Sequence, residues 1–187
     1  MIKAIIFDIG GVLLKNPLIG EFWQNKSGSK ELRDKFGVGK LPREEFIKKA
    51  SGLLEIPKED FLKRYGEAYF PIRKTEGVLE ILKSLKIKSY LFSDTNPIHL
   101  EFIKNKYPEM FKLVDKRFMS SEIGNRKNED KSYQYIIKTL KLKPEEILLI
   151  DDKQEVLDFA KKHGLKIILY KNPEMLRENL IKLGVKI

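Results

Sequence analysis

The chain has 187 residues and no cysteine, which suits one domain of ordinary size and excludes disulfides, thiolate metal ligands and a cysteine nucleophile. Its apolar runs have the length of strands rather than of membrane spans, so we expect a soluble, cytoplasmic protein with no membrane partner. The net charge of +10 comes mainly from lysines interspersed with glutamates, a pattern typical of solvated helix faces that does not favour nucleic acid as the main partner.

Short runs rich in β-branched and aromatic residues predict strands. They span 3–7, 88–92, 117–119, 147–150 and 166–170. The stretches between them carry amphipathic helical patterns, two of which begin with an Asn-Pro pair that supplies an N-cap and an N1 proline, at Asn96 and Asn172. This alternation predicts an α/β fold, a doubly wound, Rossmann-like parallel sheet.

The segment 16–70 breaks the alternation. It contains helical patterns at 44–50 and 58–69, separated by glycines and prolines, and no convincing strand. We therefore expect a small helical cap inserted after the first strand, on an α/β core formed by residues 1–15 and 71–187. Such a cap can exclude water and select substrates; the alternative is a helical extension that only packs against the core.

Aromatic and basic side chains of the predicted cap are candidates for substrate contact, although packing or exposure is their commoner role. They are Phe22, Trp23, Lys26, Tyr65 and Tyr69. The chain has two histidines, His99 and His163, which fall in predicted helices. We expect ordinary surface roles for both.

Polar, chemically active residues follow four of the predicted strands. Asp8 ends the first apolar run and precedes Gly10-Gly11, and the later segments are Ser93-Asp94-Thr95-Asn96, Gly124-Asn125-Arg126-Lys127 and Asp151-Asp152. A parallel sheet gathers the carboxyl ends of its strands along one edge, where ligands bind in open α/β folds. The sequence therefore predicts that these segments share one cleft.

The residue types in this cleft favour phosphoryl transfer. Asp8 and Asp152 would repel each other by roughly 4 kcal/mol at about 4 Å and an effective dielectric near 20, and a divalent cation would remove that conflict. Oxygen ligands without His or Cys favour Mg²⁺. Lys127 adds positive charge, and one Asp8 oxygen can attack phosphorus to form an aspartyl phosphate. Phosphate binding is assigned to Gly10, Gly11, Ser93, Asp94, Thr95, Asn96 and Lys127.

These four segments, in this order and with a helical insertion after the first, resemble the haloacid dehalogenase-like hydrolase superfamily. The likeness extends over essentially the whole chain and is greatest for the sugar-phosphate phosphatases of the glucose-1-phosphatase type and the phosphatase domain of soluble epoxide hydrolases. The resemblance implies that Asp8 is the nucleophile, Ser93 binds phosphate and Lys127 neutralises charge. It also implies that Asp152 binds Mg²⁺, with Asp151 supporting it or sharing that duty.

Two positions depart from the family pattern. Gly10 stands where the phosphatases usually carry a second Asp that protonates the leaving alcohol and activates water. The family's metal contact through the backbone carbonyl of this residue would survive, whereas loss of the acid/base group predicts slow hydrolysis or a preference for good leaving groups. Asn128 replaces the proline that commonly follows the lysine, which would loosen the loop that carries Lys127.

The sequence thus favours a Mg²⁺-dependent phosphatase that acts on a small phosphorylated metabolite, with a sugar phosphate as the first guess. Two alternatives stay open. One is metal-free 2-haloacid dehalogenation with Asp8 as nucleophile, which the Asp151-Asp152 pair disfavours. The other is a module that binds a phosphorylated ligand or a partner with negligible turnover, as Gly10 would allow.

Overall fold

The computed structural model describes residues 1–15, 22–23, 26–68 and 71–187. The strands are β1 (Ala4–Phe7), β2 (Leu14–Lys15), β3 (Arg73–Lys74), β4 (Lys88–Ser93), β5 (Lys116–Met119), β6 (Ile147–Asp151) and β7 (Lys166–Leu169). The helices are α1 (Ser29–Gly37), α2 (Arg43–Leu54), α3 (Lys58–Glu67), α4 (Glu76–Ser84), α5 (Pro97–Lys106), α6 (Pro108–Lys112), α7 (Ser120–Ile123), α8 (Asp130–Leu140), α9 (Gln154–Lys162) and α10 (Pro173–Lys182). A 3₁₀ turn (Pro144–Glu146) precedes β6.

A five-stranded parallel sheet with the order β5-β4-β1-β6-β7 forms the centre of the fold. The predicted strands are confirmed to within one residue at each end. All four residues of β1 are fully buried, as expected for a parallel strand covered on both faces. Ile5 and Phe7 join the hydrophobic core on one face, and Ala4 and Ile6 join the core on the other. The predicted doubly wound α/β fold is confirmed.

The two Asn-Pro pairs begin helices as predicted. The Asn96 side chain accepts a hydrogen bond from the His99 backbone N–H at 3.0 Å at the start of α5. Asn172 does the same for the Met175 N–H at 2.8 Å at the start of α10. In both helices proline occupies the first turn, where no N–H is needed.

Between β2 and β3 the described chain is helical, as the sequence predicts. Helices α1–α3 pack around an aromatic cluster in which Phe36 stacks on Phe46 with ring centres 3.9 Å apart and Phe61 stacks on Tyr65 at 5.2 Å. This cluster is continuous with the core on one face of the sheet. The division into a cap over 16–70 and a core over 1–15 and 71–187 stays a prediction, and both ends of that cap segment lie outside the described residues.

The short strands β2 and β3 are an addition to the predicted elements. They pair antiparallel, with Leu14 opposite Lys74 and Lys15 opposite Arg73, and so join the chain on either side of the helical insertion. Two-residue strands carry no periodicity from which a sequence pattern could predict them. Within the described ranges, no helix combines the length and the apolar character that crossing a membrane requires.

Candidate active site

Three carboxylates meet at the carboxyl edge of the sheet. Phe7 lies level with Ile150 in the pairing of β1 with β6, so the next residues, Asp8 and Asp151, are neighbours. Asp8 is 5% exposed and Asp151 is fully buried, whereas Asp152 is exposed. One carboxylate oxygen from each of the three lies within 4.8 Å of the others. The sequence-predicted acidic cluster is therefore assembled in space.

The Lys127 ammonium lies between two of these carboxylates. Its Nζ is 2.5 Å from Asp8 Oδ1 and 2.6 Å from Asp151 Oδ2, and the side chain is only 5% exposed. Burial works to lower the pKa of Lys127, but the charges of Asp8 and Asp151 outweigh it and raise that pKa. Lys127 is therefore a permanent positive charge beside Asp8.

Burial raises the pKa of Asp8 to about 6; Lys127 opposes this rise, and the charges of Asp151 and Asp152 add to it. Asp152 is exposed, but partial desolvation of its carboxyl group and the charge of Asp151 also raise its pKa. Desolvation and mutual repulsion therefore destabilise the charged forms of these carboxylates, and an added positive charge would stabilise them. A hard cation with oxygen ligands fits this donor set.

The backbone N–H and the carbonyl of Lys127 are both hydrogen-bonded. These bonds hold the loop even though Asn128, and not proline, follows Lys127. The Lys127 N–H donates to Asp94 Oδ1 at 3.0 Å, and the hydroxyl of the fully buried Tyr133 donates to the Lys127 carbonyl at 2.7 Å. The preceding Arg126 is held by its N–H to Glu129 Oε1 at 2.8 Å. The segment is thus anchored without the rigidity of a proline.

Gly11 has a structural role in the turn after β1. Its N–H donates to the Leu14 carbonyl at 2.7 Å, and its binding of phosphate stays a prediction. Gly11 has a φ of +92°, and an added Cβ would lie 2.1 Å from Asp152 Oδ2. The glycine is therefore required for the left-handed turn and for the close approach of Asp152. Gly10 lines the same cavity as Asp8.

The predicted phosphate-binding segment begins at the last residue of β4 and makes several hydrogen bonds within the protein. Ser93 is 6% exposed and lines the cavity that holds Asp8, as does Asp94. The Thr95 N–H, a predicted phosphate donor, instead donates to Ser120 Oγ at 2.9 Å. Asn96 caps α5 through Oδ1, and its Nδ2 donates to Tyr65 Oη at 3.1 Å. Thr95 and Asn96 therefore make structural contacts within the protein, and their binding of phosphate stays a prediction.

Two adjoining cavities form the cleft. A cavity of about 370 Å³ contains Asp8, Gly10, Ser93 and Lys127 in its wall. A second, of about 380 Å³, lies against helices α1–α3 and the core loops. Both are lined by Lys30, Asp34, Asp94, His99 and Arg126. The carboxyl edge of the sheet therefore opens into a space that the helical insertion partly encloses.

The five candidate substrate contacts of the predicted cap fall into different environments. Trp23 and Tyr65 line the second cavity. Phe22 packs edge-on against Trp23 with ring centres 5.4 Å apart, and Lys26 pairs with Glu55 at 2.9 Å on the surface. Tyr69 lies outside the described residues.

His99 is the main cavity residue that sequence reasoning missed. The prediction of an ordinary surface role is wrong, since the ring is partly buried, lines both cavities and places Nδ1 3.0 Å from Thr95 Oγ1. Burial lowers its pKa to about 4. Its place one helical turn after the Ser93–Asn96 segment is the only signal that could have indicated it. His163 directly follows α9, and its Nε2 lies 3.0 Å from Asp130 Oδ1.

Ionic contacts and hydrogen bonds join helices α1–α3 to the rest of the molecule. Arg126 Nη2 is 2.8 Å from Asp34 Oδ1, and Arg43 Nη1 is 2.5 Å from Glu101 Oε2. The fully buried Ser120 donates through Oγ to the Gly37 carbonyl at 2.7 Å. The wall that α1 contributes to the cleft is thus fixed to the loop that carries Lys127.

An open parallel sheet with a buried carboxylate, an ion-paired lysine and an acidic cluster at its carboxyl edge defines a Rossmann-like α/β enzyme. The model of one family, the haloacid dehalogenase-like hydrolases, matches residues 2–164. The chain belongs to this hydrolase family.

Individual relatives agree in length and fold. A D-ribitol-5-phosphate phosphatase from Bacteroides thetaiotaomicron is 27% identical over 205 residues, which cover 96% of this chain and 97% of the relative. A HAD family enzyme from the same organism, solved as a magnesium complex, has a TM-score of 0.81 at 22% identity and covers 91% of this chain and 94% of its own. A Porphyromonas gingivalis protein described as a predicted HAD-like family hydrolase has a TM-score of 0.80 at 21% identity, with 98% of each chain covered.

Proposed function

We propose that the protein is a Mg²⁺-dependent phosphatase that hydrolyses a small phosphorylated metabolite, a sugar or polyol phosphate, through an aspartyl phosphate on Asp8. The observation that carries the proposal is the contact of the buried Asp8 carboxylate with Lys127 at 2.5 Å, beside two further carboxylates. A relative of nearly equal length acts on D-ribitol 5-phosphate, which supports this substrate class.

The oxygen donors at the sheet edge suit Mg²⁺. Asp8, the Gly10 carbonyl and Asp152 would hold the ion, which would neutralise charge on the phosphoryl group when bound. Both oxygens of Asp151 already accept hydrogen bonds, from Lys127 Nζ at 2.6 Å and from the Lys153 N–H at 2.9 Å. Asp151 therefore supports the site, and Asp152 is the better direct ligand. The HAD family enzyme from B. thetaiotaomicron has been solved with magnesium and inorganic phosphate.

The protein's own groups then have separate tasks. Asp8 attacks phosphorus through a carboxylate oxygen, and the bond to the leaving oxygen breaks. Lys127 offsets the negative charge of Asp8 and of the phosphoryl oxygens, and the Ser93 hydroxyl donates to one of those oxygens. Water then attacks the phosphorus of the aspartyl phosphate, which releases inorganic phosphate and restores the Asp8 carboxylate. With Gly10 in place of the usual acid/base Asp, we expect slow turnover.

Phosphate release tests the proposal. Wild type and D8N would be assayed with sugar phosphates, polyol phosphates, nucleotides and p-nitrophenyl phosphate, with Mg²⁺ and with EDTA. We expect Mg²⁺-dependent release that falls at least about 10³-fold in D8N, since the nucleophile is lost. D60N, an exposed change on α3, is the matched control and keeps wild-type rates.

Each alternative has its own outcome. Equal release by D8N and wild type would exclude Asp8 as nucleophile. Tight binding of a phosphorylated ligand without turnover above D8N would favour a binding module. Halide release from a 2-haloacid in the presence of EDTA would favour dehalogenation.

A further inference from the structure

The cleft needs a group that moves protons, and Gly10 cannot supply one. The leaving oxygen of an unactivated sugar or polyol phosphate must gain a proton, and the attacking water must lose one. Among the residues that the structure describes, the carboxyl and imidazole groups that line the cavities outside the acidic cluster are Asp34, Asp94, His99 and Glu155. Each can be judged by its existing contacts.

Asp34, His99 and Glu155 are poorly placed for the task. Asp34 is occupied by Arg126 at 2.8 Å. His99 directs Nδ1 to Thr95 Oγ1 at 3.0 Å, and with a pKa of about 4 it stays neutral and a weak base at neutral pH. Glu155 is exposed at the start of α9 and lines only the cavity that holds Asp8.

Asp94 differs from these in position and in contacts. It directly follows Ser93 and is bonded to the backbone N–H of Lys127, the residue whose Nζ contacts Asp8. It lines both cavities, and its side chain keeps 33% of its exposure, so a ligand that extends from one cavity into the other would pass beside it. Its Oδ1 is fixed by Lys127, and its Oδ2 has Arg126 Nη1 at 4.0 Å.

Burial and the neighbouring charges shift the pKa of Asp94 in opposite directions. Burial raises its pKa, while Lys127, Arg126 and Lys153 lower it. Asp34 and His99 face the same space from α1 and α5. A phosphoryl group bound beside Asp94 would repel its carboxylate and so favour the protonated form, which can donate a hydrogen bond to the leaving oxygen.

We infer that the Asp94 carboxyl is the proton-transfer group of this site and takes the place of a carboxylate at position 10. This inference rests on the proposed phosphatase function. As Asp8 attacks phosphorus, the electron pair of the breaking P–O bond goes to the leaving oxygen, which takes the Asp94 proton. The Asp94 carboxylate then takes a proton from the water that attacks the aspartyl phosphate, and the electron pair of the breaking bond returns to Asp8.

The dependence on leaving group tests this role. D94N retains an oxygen that accepts the Lys127 N–H, so Lys127 keeps its anchor while proton transfer is lost. We expect D94N to lower kcat/KM for ribitol 5-phosphate or another polyol phosphate about 10²-fold. The loss for p-nitrophenyl phosphate, whose leaving group needs little protonation, should be less than about 10-fold. D94A loses the anchor too and should lower both.

A double variant makes the test specific. Gly10 is not among the described glycines with positive φ, and G10D would install a carboxylate at this position. We expect D94N to lower kcat/KM for the polyol phosphate much less in the G10D background than in wild type. A purely structural effect of D94N would lower kcat/KM equally in both backgrounds. H99Q serves as the competing variant, and D60N as the exposed Asp-to-Asn control.

The inference would be overturned if D94N lowered kcat/KM equally for both substrates or for neither. It would also be overturned if the dependence on leaving group appeared in H99Q instead of D94N. Retained turnover in D8N would overturn the phosphatase mechanism itself, so the two failures are distinct. Thermal unfolding of each variant confirms that the comparison is made on folded protein.

Discussion

Among single residues, Lys127 compensates the negative charges of two buried carboxylates. It contacts both Asp8 and Asp151 within 2.6 Å, and all three side chains are almost completely buried. Removal of one member of a buried ion cluster leaves uncompensated charge, which costs roughly 3 to 5 kcal/mol. Lys127 is therefore expected to matter for folding as well as for turnover.

K127M tests both roles. We expect the free energy of unfolding at pH 7 to fall by roughly 3 kcal/mol and kcat/KM to fall at least about 10²-fold. Urea denaturation and phosphate release measure the two effects. K131M, an exposed lysine change on α8, should alter neither. Wild-type stability in K127M would show that the ion cluster is not held as described.

His99 predicts a dependence of stability on pH. Its pKa in the folded protein is lowered from 6.5 to about 4 by burial, so between these values the unfolded chain binds the proton and the folded chain does not. The stabilising effect of the neutral ring is complete above pH 6.5 and is lost as the pH falls towards 4. The shift corresponds to at most roughly 3 kcal/mol.

H99Q isolates this effect, since other titrating groups are common to both proteins. From pH 7 to pH 4 we expect wild type to lose up to roughly 3 kcal/mol more stability than H99Q, as measured by urea midpoints at several pH values. Parallel curves for the two proteins would contradict a buried, neutral His99.

For single residues, the sequence predicts which side chains lie close together but not which partners the nearby backbone N–H groups bind. The gathering of Asp8, Ser93, Lys127 and Asp152 follows from strand ends alone. By contrast, the Thr95 N–H is taken by Ser120, and the Gly11 N–H by a carbonyl of its own turn. No periodicity or motif indicates such partners.

At the scale of elements, the junction between α1 and the core depends on a glycine. Gly39 follows α1 with a φ of +70°, and an added Cβ would lie 2.5 Å from the Ser121 carbonyl oxygen. Both the backbone conformation and the contact with main-chain atoms exclude a side chain. This close approach fixes α1, and with it the cleft wall, against the segment after β5.

G39A should therefore separate α1 from the core. We expect a loss of at least about 1 kcal/mol in stability together with a higher KM, because Asp34 and Lys30 of α1 line the cleft. G52A is the matched control: Gly52 lies in α2 with open space at its Cβ position, and alanine there should stabilise the helix by about 0.5 to 1 kcal/mol. Unchanged KM and stability in G39A would show that this junction does not shape the cleft.

Sequence signals at the element scale depend on length and local chemistry. The Asn-Pro pairs predict the starts of α5 and α10 because side chain and backbone interact within one turn. The sequence does not predict β2 and β3, because two-residue strands that pair across a long stretch of chain leave no local pattern. The aromatic side chains of α1–α3 are visible in the sequence, whereas which of them face the cleft depends on how these helices pack.

At the scale of the whole molecule, the acidic edge of the sheet links ligand binding to stability. Asp8, Asp151 and Asp152 come from two strands that meet only in the folded chain. A cation bound there stabilises the folded state by RT ln(1 + [L]/Kd), about 2.7 kcal/mol at 100 times Kd.

Thermal unfolding with Mg²⁺ and with EDTA measures this linkage. We expect Mg²⁺ to raise the Tm of wild type and to have a much smaller effect on D152N, which loses a ligand. D158N, an exposed change on the neighbouring α9, should respond like wild type. An equal rise in D152N and wild type would place the binding site elsewhere.

The fold as a whole was the most predictable level, because alternating strands and helices leave few topologies for a parallel sheet. The order β5-β4-β1-β6-β7 brings the strands that precede the reactive residues side by side. The strand order itself, and the position of the helical insertion over the cleft, depend on packing between segments far apart in sequence.

An aspartyl phosphate on Asp8 can be trapped and located. Rapid acid quenching of the enzyme with a ³²P-labelled substrate preserves the labelled intermediate, and peptide mapping then identifies the labelled residue. We predict Mg²⁺-dependent label on the peptide that contains Asp8 in wild type, and none in D8N. Label on another residue, or equal labelling of D8N and wild type, would show that Asp8 does not carry the phosphoryl group.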